Sequence, residues 1–583
     1  MKSFFTLIFL LSISIIFSQE NDNGWETVFE RSGEVSTADY DESIKYFQKI
    51  ADKSEFAEIF KFGTTPQGRT LYYLVVNKDG NFSPEQNEKP VVFVQNGIHS
   101  GEIEGKDACM LLLREILITE EKKNLIENVT LIVIPVLNAD GHERKSKYNR
   151  INQNGPEEMG WRTTAQNYNL NRDYTKADAP EMQALLKLFT AWLPEVYIDN
   201  HTTNGLDFQY VLTYGIEKYQ NTRSVLADWT RNEFIPYFEN TLNERGVLTA
   251  PYFWYLERGN VSAGVTDWVS TPRFSHGYAV YQNRIGLLIE THMLKPYDER
   301  VFATKEAMEV VLEYVNENSD RIVEMVSAAD AEAIDEYYHK GKALPIEFES
   351  TSDYDEFIFK GFKPVETESF ITGTNITTYS NEKFTDTIKY YSYKEVADSI
   401  ALPQAYIIPQ EWGKIVDKLL LHGIKVEKLD KEKEFNVEKY KFYDIEFAQN
   451  SYEGRQRVSA DYEVINEKVK TNIGDYVVFL NQRNAPLIGY LLEPKTEDSF
   501  LRWGFMNQIF ERKEYFEYYS MQPIADEMLN NNPQLTEEFL KKLESDENFK
   551  NNPYARMNFF YEQTPYFDEK YNVYPILRVI DEL

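Results

Sequence analysis

Val91–Ile118 reads VVFVQNGIHSGEIEGKDACMLLLREILI. Its first residues, Val91–Val94, are a continuous apolar run that meets Asn96-Gly97. A short apolar run bounded by Asn-Gly predicts a buried strand. Further on, Ala108, Leu111, Leu112 and Ile116 recur at helical spacing, which predicts a helix with one apolar face. His99 and Glu102 sit at this strand-to-helix junction, where a turn can aim an imidazole and a carboxylate at one point. Nitrogen plus carboxylate oxygen suits zinc, and a catalytic zinc takes a third protein ligand and keeps a position for water. Alone, His-x-x-Glu is common by chance, and its plain reading is a surface histidine beside a solvated glutamate.

Working outward, other predicted strand ends carry related residues. Leu131–Leu137 is a second apolar run, ending in the turn signal Asn138-Ala139-Asp140-Gly141. Gly141–Gln166 is polar and loop-like, with Asn149-Arg150 and Trp161-Arg162, and long loops in compact domains tend to be functional. Asn169-Leu170-Asn171-Arg172-Asp173 follows, then a predicted helix over Pro180–Trp192 with proline at its start. Val196–Asp199 predicts a strand that runs into His201, and Arg284–Glu290 predicts one that ends in Glu290. Ligands of α/β sheets bind beyond the strand ends. A carboxylate on a buried strand is costly unless it is paired or working. Upstream, Tyr40–Ala51 predicts an amphipathic helix, and Phe60–Thr64 and Leu71–Val76 predict strands about a Pro66-Gln67-Gly68-Arg69 turn.

In order, His99-Ser-Gly-Glu102, Asn138-Ala-Asp-Gly141, Arg150 or Arg162, Asn171-Arg172, His201 and Glu290 resemble the motif series of the zinc metallocarboxypeptidase family, over roughly Asp39–Ala328. The resemblance implies a mixed central sheet flanked by helices and one Zn2+ per chain, held by His99, Glu102 and His201. It implies Glu290 as the general base that takes a proton from water and hands it to the leaving amine. Arg162, in a Trp-Arg step like the family's, would polarise the scissile carbonyl and hold the oxyanion, with Arg150 as its rival. Asn171 and Arg172 would bind a substrate's terminal carboxylate, for which the arginine fork is suited. The family also closes a tyrosine over its substrate. Here the corresponding position reads Arg258-Gly259-Asn260, ahead of Asp267-Trp268, and Tyr278 is favoured over Tyr255 and Tyr281 as the substrate-binding tyrosine. Asp199 is either a residue that orients His201 or an ordinary strand-end residue.

The implied activity is hydrolysis of the C-terminal peptide bond of peptides with a free terminal carboxylate. The alternatives are a zinc amidase acting on cell-wall or acyl-amino-acid substrates, and a catalytically inactive binding protein; Glu290 argues against the second.

The chain has 62 Lys and Arg against 94 Asp and Glu, a net charge of −32, which argues against nucleic acid and anionic membranes as partners. Cys109 is the single cysteine, so no intrachain disulfide forms, and a buried small hydrophobe is its expected role. Met1–Ser18 has Lys2, the apolar run Phe4–Phe17 and a Ser18-Gln19 cleavage point, which together predict a secretory signal peptide. The expected location is therefore periplasmic or extracellular, with no membrane span in the mature chain. Oligomeric state is open. The expected organisation is a signal peptide over 1–18, a catalytic α/β domain over 19–342 and a β-rich α+β domain over 343–583. In the last, Phe357-Ile-Phe-Lys-Gly-Phe, Ile388-Lys-Tyr-Tyr-Ser-Tyr and Asp475-Tyr-Val-Val-Phe-Leu predict strands, and Gln410–His422 and Thr496–Glu514 predict helices. This region is expected either to extend the catalytic core or to bind carbohydrate or peptide.

Overall fold

The computed structural model describes residues 24–203, 205–257 and 260–581, so the expected signal peptide lies outside the described residues. In chain order the strands of the first part are β1 (Ala57–Thr64), β2 (Thr70–Val76), β3 (Val91–Gln95), β4 (Thr130–Ile134), β5 (Val196–Thr203), β6 (Leu212–Ile216), β7 (Thr249–Pro251), β8 (Trp254–Tyr255), β9 (Val265–Thr266) and β10 (Ile285–His292). All but β8 and β9 form one eight-stranded sheet in the order β1-β2-β4-β3-β5-β10-β6-β7. Its middle is a parallel block, β4-β3-β5-β10, flanked by antiparallel partners. Every residue of β3, β4, β5 and β10 is buried, as continuous apolar runs covered on both faces require. Because these four strands run the same way, His99, Asn138, His201 and Glu290 all come to one edge of the sheet.

One face of the sheet packs against the helices Tyr40–Lys53, Glu104–Leu117 and Tyr297–Glu317, through a core that includes Phe47, Leu112, Val133, Ile198 and Val311. Two consecutive helices, Tyr297–Glu317 and Ser319–Ile334, separated at Asn318, follow β10. The opposite face packs against helices Pro180–Trp192 and Ser275–Tyr281. That second core continues without a break into the C-terminal region, through Tyr406, Leu419, Leu487 and Tyr490. The region after residue 343 thus covers one face of the sheet.

The C-terminal region is built on an antiparallel six-stranded sheet of Glu427–Lys428, Tyr476–Phe479, Ala405–Ile408, Leu577–Val579, Glu434–Phe447 and Val458–Lys470. A long hairpin, Asp355–Glu368 with Asn375–Tyr391, extends the small β8–β9 sheet by pairing Tyr390 with Val265. Gln410–His422 is helical as expected, a short 3-10 turn running into Gly413–Leu421. The helix expected over Thr496–Glu514 is instead a run of turns with a short 3-10 segment at Asn507–Phe510. Its apolar residues Phe500, Leu501, Trp503 and Met506 are nevertheless buried. Thr496 and Ser499 explain the difference: their hydroxyls bond to the carbonyls of Tyr490, Glu493 and Thr496, offering the backbone a turn in place of a helix. Four helices between Tyr518 and Tyr561 pack around their own core of Met521, Leu535, Phe539 and Phe560.

Among the described residues no helix is long and apolar enough to cross a membrane.

Candidate metal centre and substrate cleft

His99 and Glu102 lie in the turn between β3 and helix Glu104–Leu117. The long loop after β4 packs directly on that turn. A Cβ on Gly101 would sit 2.6 Å from Arg150 Cγ, and one on Gly160 would sit 2.7 Å from the Ser100 carbonyl oxygen, so glycine at both positions permits the approach. His201 lies within β5, and Glu290 sits opposite it in the parallel register of β10. Parallel pairing therefore sets a histidine and a carboxylate side by side at the sheet edge.

Donor atoms of His99, Glu102 and His201 lie within 4.8 Å of one another, all buried. Glu102 Oε2 lies 3.3 Å from His99 Nδ1 and 2.9 Å from His201 Nδ1, and it accepts the Thr202 N–H at 3.1 Å. The far nitrogens are both engaged. His99 Nε2 is 2.9 Å from Asn169 Oδ1, and His201 Nε2 is 2.6 Å from Asp199 Oδ2. Those oxygens are acceptors, so each Nε2 donates, and in the neutral ring each Nδ1 lone pair faces Glu102. Two lone pairs converging on one carboxylate oxygen call for a cation between them, a proton or a metal ion. Two imidazoles and a carboxylate are a zinc donor set, and zinc is the cofactor of this centre.

The electrostatics set the buried groups apart. Burial disfavours a charged His201, yet Asp199 and Glu102 hold it well above the ordinary imidazole value. Burial pushes His99 down to about 4. Glu102 is held well below the usual carboxylate range despite its burial, first by Arg150 and then by His99. Glu290 differs from it: burial pushes its carboxyl up to about 8, with Glu102 and Asp199 adding to the rise and His201 opposing it. Glu290 Oε2 is buried and has no hydrogen-bond partner. Such a carboxylate costs stability and is a mark of a working group.

The centre opens into a cleft of about 1010 Å³, also lined by Arg150, Arg162, Asn171, Arg172, Tyr252, Trp268, Arg273, Phe274 and Glu497. Both rival arginines reach Glu102 Oε1, Arg150 at 2.6 Å and Arg162 at 3.3 Å. They differ in exposure: the Arg150 side chain is 13% exposed and that of Arg162 is 41% exposed, so Arg162 is the freer to meet a substrate. Arg172 forms no ion pair among the described residues. Its guanidinium lies 4.3 Å from the centre of the Phe274 ring and donates to the Asn171 carbonyl at 2.6 Å. Neighbouring Asp173 pairs with Lys176 instead. Asn171 Oδ1 accepts the Ser275 N–H at 3.2 Å.

Tyr278 is not in the cleft. It is fully buried in the core on the face of the sheet shared with the C-terminal region, its hydroxyl 3.1 Å from His422 Nδ1 and accepting from Gln282 at 2.8 Å. A side chain packed among Tyr174, Phe189 and His422 cannot swing over a substrate, so its expected substrate-binding role is corrected. Tyr281 is buried too. The tyrosine that reaches the cleft is Tyr252, hydrogen-bonded to Thr203 and packed against Trp268 at 5.3 Å between ring centres. Sequence reading passed over it because β7, which it follows, is three residues long and shows no periodicity. Arg273, Phe274 and Glu497 were missed for another reason: only folding brings them to the cleft.

Residues 43–304 match the family model described as zinc carboxypeptidase. A carboxypeptidase 2 of Trichophyton rubrum is 20% identical over 483 residues, covering 80% of this chain and 84% of that protein. A carboxypeptidase 2 of Trichophyton tonsurans is 21% identical over 453 residues, covering 75% of this chain and 78% of its own length. The solved metallo-carboxypeptidase of Burkholderia cenocepacia is 15% identical, with a TM-score of 0.37, and the match covers 49% of this chain and 70% of that one.

Proposed function

We propose that the chain, whose residues 43–304 match the zinc carboxypeptidase family model, is an exported enzyme that removes single residues from the free C-termini of peptides. One observation carries the reading. A buried His99–Glu102–His201 cluster and an unpaired Glu290 share a cleft with an arginine, Arg172, that has no carboxylate partner among the described residues. When bound by His99, Glu102 and His201, zinc supplies Lewis acidity, which makes water a nucleophile near neutral pH and polarises a carbonyl.

The chain's own groups do the rest. Arg172 and Asn171 take the substrate's terminal carboxylate, which selects the last peptide bond and sets its carbonyl at the metal end of the cleft. Arg162 moves from Glu102 to the carbonyl oxygen and balances the charge that develops there. In its ionised form Glu290 takes a proton from the attacking water at its free Oε2 and delivers it to the leaving nitrogen. Asn169 and Asp199 keep the two imidazoles in the tautomer that can bind metal.

The test is mass spectrometry of the zinc-loaded protein with matched unblocked and C-terminally amidated peptides. The expected result is loss of single C-terminal residues from the unblocked set alone. Trimming that is indifferent to amidation would remove the carboxylate-binding role of Arg172. No trimming of either set by zinc-loaded protein would move the substrate to a non-peptide amide.

A further inference from the structure

The half of the cleft that carries Arg172 rests on the C-terminal region, in two places. The first is the segment that follows Asn171-Arg172. Trp503 Nε1 donates to Thr175 Oγ1 at 3.2 Å, and His422 Nε2 lies 3.2 Å from the Thr175 carbonyl oxygen. Lys418 donates to the Ala177 carbonyl at 2.6 Å, and Arg455 pairs with Asp178 at 2.5 Å.

The second is Thr271–Ser275. Arg273 is in charge contact with Asp498 at 2.6 Å and Glu497 at 2.5 Å, without hydrogen-bond alignment to either, and its guanidinium lies 5.3 Å from the centre of the Trp503 ring. The Arg273 side chain is 7% exposed and that of Asp498 is wholly buried. The next two residues make the contacts already described, Phe274 under the Arg172 guanidinium and the Ser275 N–H on Asn171 Oδ1. Trp503 thus touches both segments, and Glu497 itself lines the cleft. Among the described residues, nothing that holds His99, Glu102 or His201 comes from beyond residue 342.

We propose that Asp498, with Glu497 and Trp503, is a positioning residue for substrate binding: it anchors Arg273, and Arg273 fixes Phe274 and Ser275 against the carboxylate-binding pair Arg172 and Asn171. The inference rests on the proposed role of that pair. A guanidinium binds a carboxylate through two parallel bonds, so its plane has to be set in advance. Arg172 has no carboxylate to set that plane, and the face of Phe274 does so instead. Phe274 in turn sits on a loop, and a loop holds an ångström-scale position only when something locks it. A buried ion pair is such a lock, because loosening it leaves an uncompensated charge.

The test measures KM and kcat for an unblocked peptide, together with zinc content, in Asp498→Asn, Glu497→Gln, Phe274→Leu and Arg172→Ala. Asp498→Asn and Phe274→Leu are expected to raise KM about tenfold, keep kcat within about twofold and retain full zinc. Glu497→Gln, at a half-exposed site that tolerates change, should raise KM about threefold, and Phe274→Tyr should restore the KM lost in Phe274→Leu. Should Arg172→Ala raise KM while the Glu497 and Phe274 variants leave it unchanged, the inference is overturned and the proposed function stands. Should Arg172→Ala itself leave KM unchanged, the reading beneath both is overturned. Loss of zinc or of kcat in Glu497→Gln would also overturn it, since a positioning contact for the carboxylate end moves neither.

Discussion

The two ends of the cleft are held by different means. At the metal end, His201 and Glu290 sit on adjacent parallel strands in matched register, and His99 and Glu102 follow a third strand. The ladder of the sheet sets those positions, and the groups that orient the imidazoles, Asn169 and Asp199, lie within the same first part of the chain. At the proposed carboxylate end, Arg172 lies in a short 3-10 turn and Phe274 in a loop, and their chain neighbours Thr175 and Arg273 contact His422, Trp503 and Asp498. A group on a strand inherits precision from backbone hydrogen bonds, whereas a group on a loop needs an outside brace. The region after residue 343 thus contributes Glu497 to the lining of the cleft.

Removing His201 should have the largest effect on the metal end. His201→Ala is expected to lose stoichiometric zinc, read by metal analysis, and with it all hydrolysis. Full zinc in that variant would break the assignment of the metal end to the strand ladder. Glu290→Gln comes next: kcat should fall by about 10²- to 10⁴-fold with zinc retained. Asp199→Asn should weaken zinc about 10- to 100-fold, measured by competition with a chelator, because the His201 tautomer is no longer fixed. The same measurement on Asp498→Asn should show no change, and a matching loss there would merge the two ends into one. The smallest effect belongs to Tyr278→Phe. It removes a hydroxyl that bonds Gln282 and faces His422, at a cost of about 1–2 kcal/mol in denaturant unfolding, with KM unaltered. A KM change in that variant would return Tyr278 to the substrate.

The sequence by itself determined the strand-to-helix junction at His99 and Glu102, the buried strands that carry His201 and Glu290, and the order of the donor residues. Local spacing encodes all of these: apolar runs and turn signals act over a few residues, and parallel strands bring their ends together without further instruction. Only the tertiary structure decided that Tyr252 and not Tyr278 faces the cleft, that Arg162 is more open than Arg150, and that Thr496–Glu514 is a run of turns. Burial on one face or the other of the sheet settles the tyrosines, since both share the same local chemistry. Pairing across the fold settles the rest. Arg273 and Asp498 lie more than two hundred residues apart and meet only because the C-terminal region covers the second face of the sheet. A contact made by packing leaves no periodicity or spacing in the chain from which to read it.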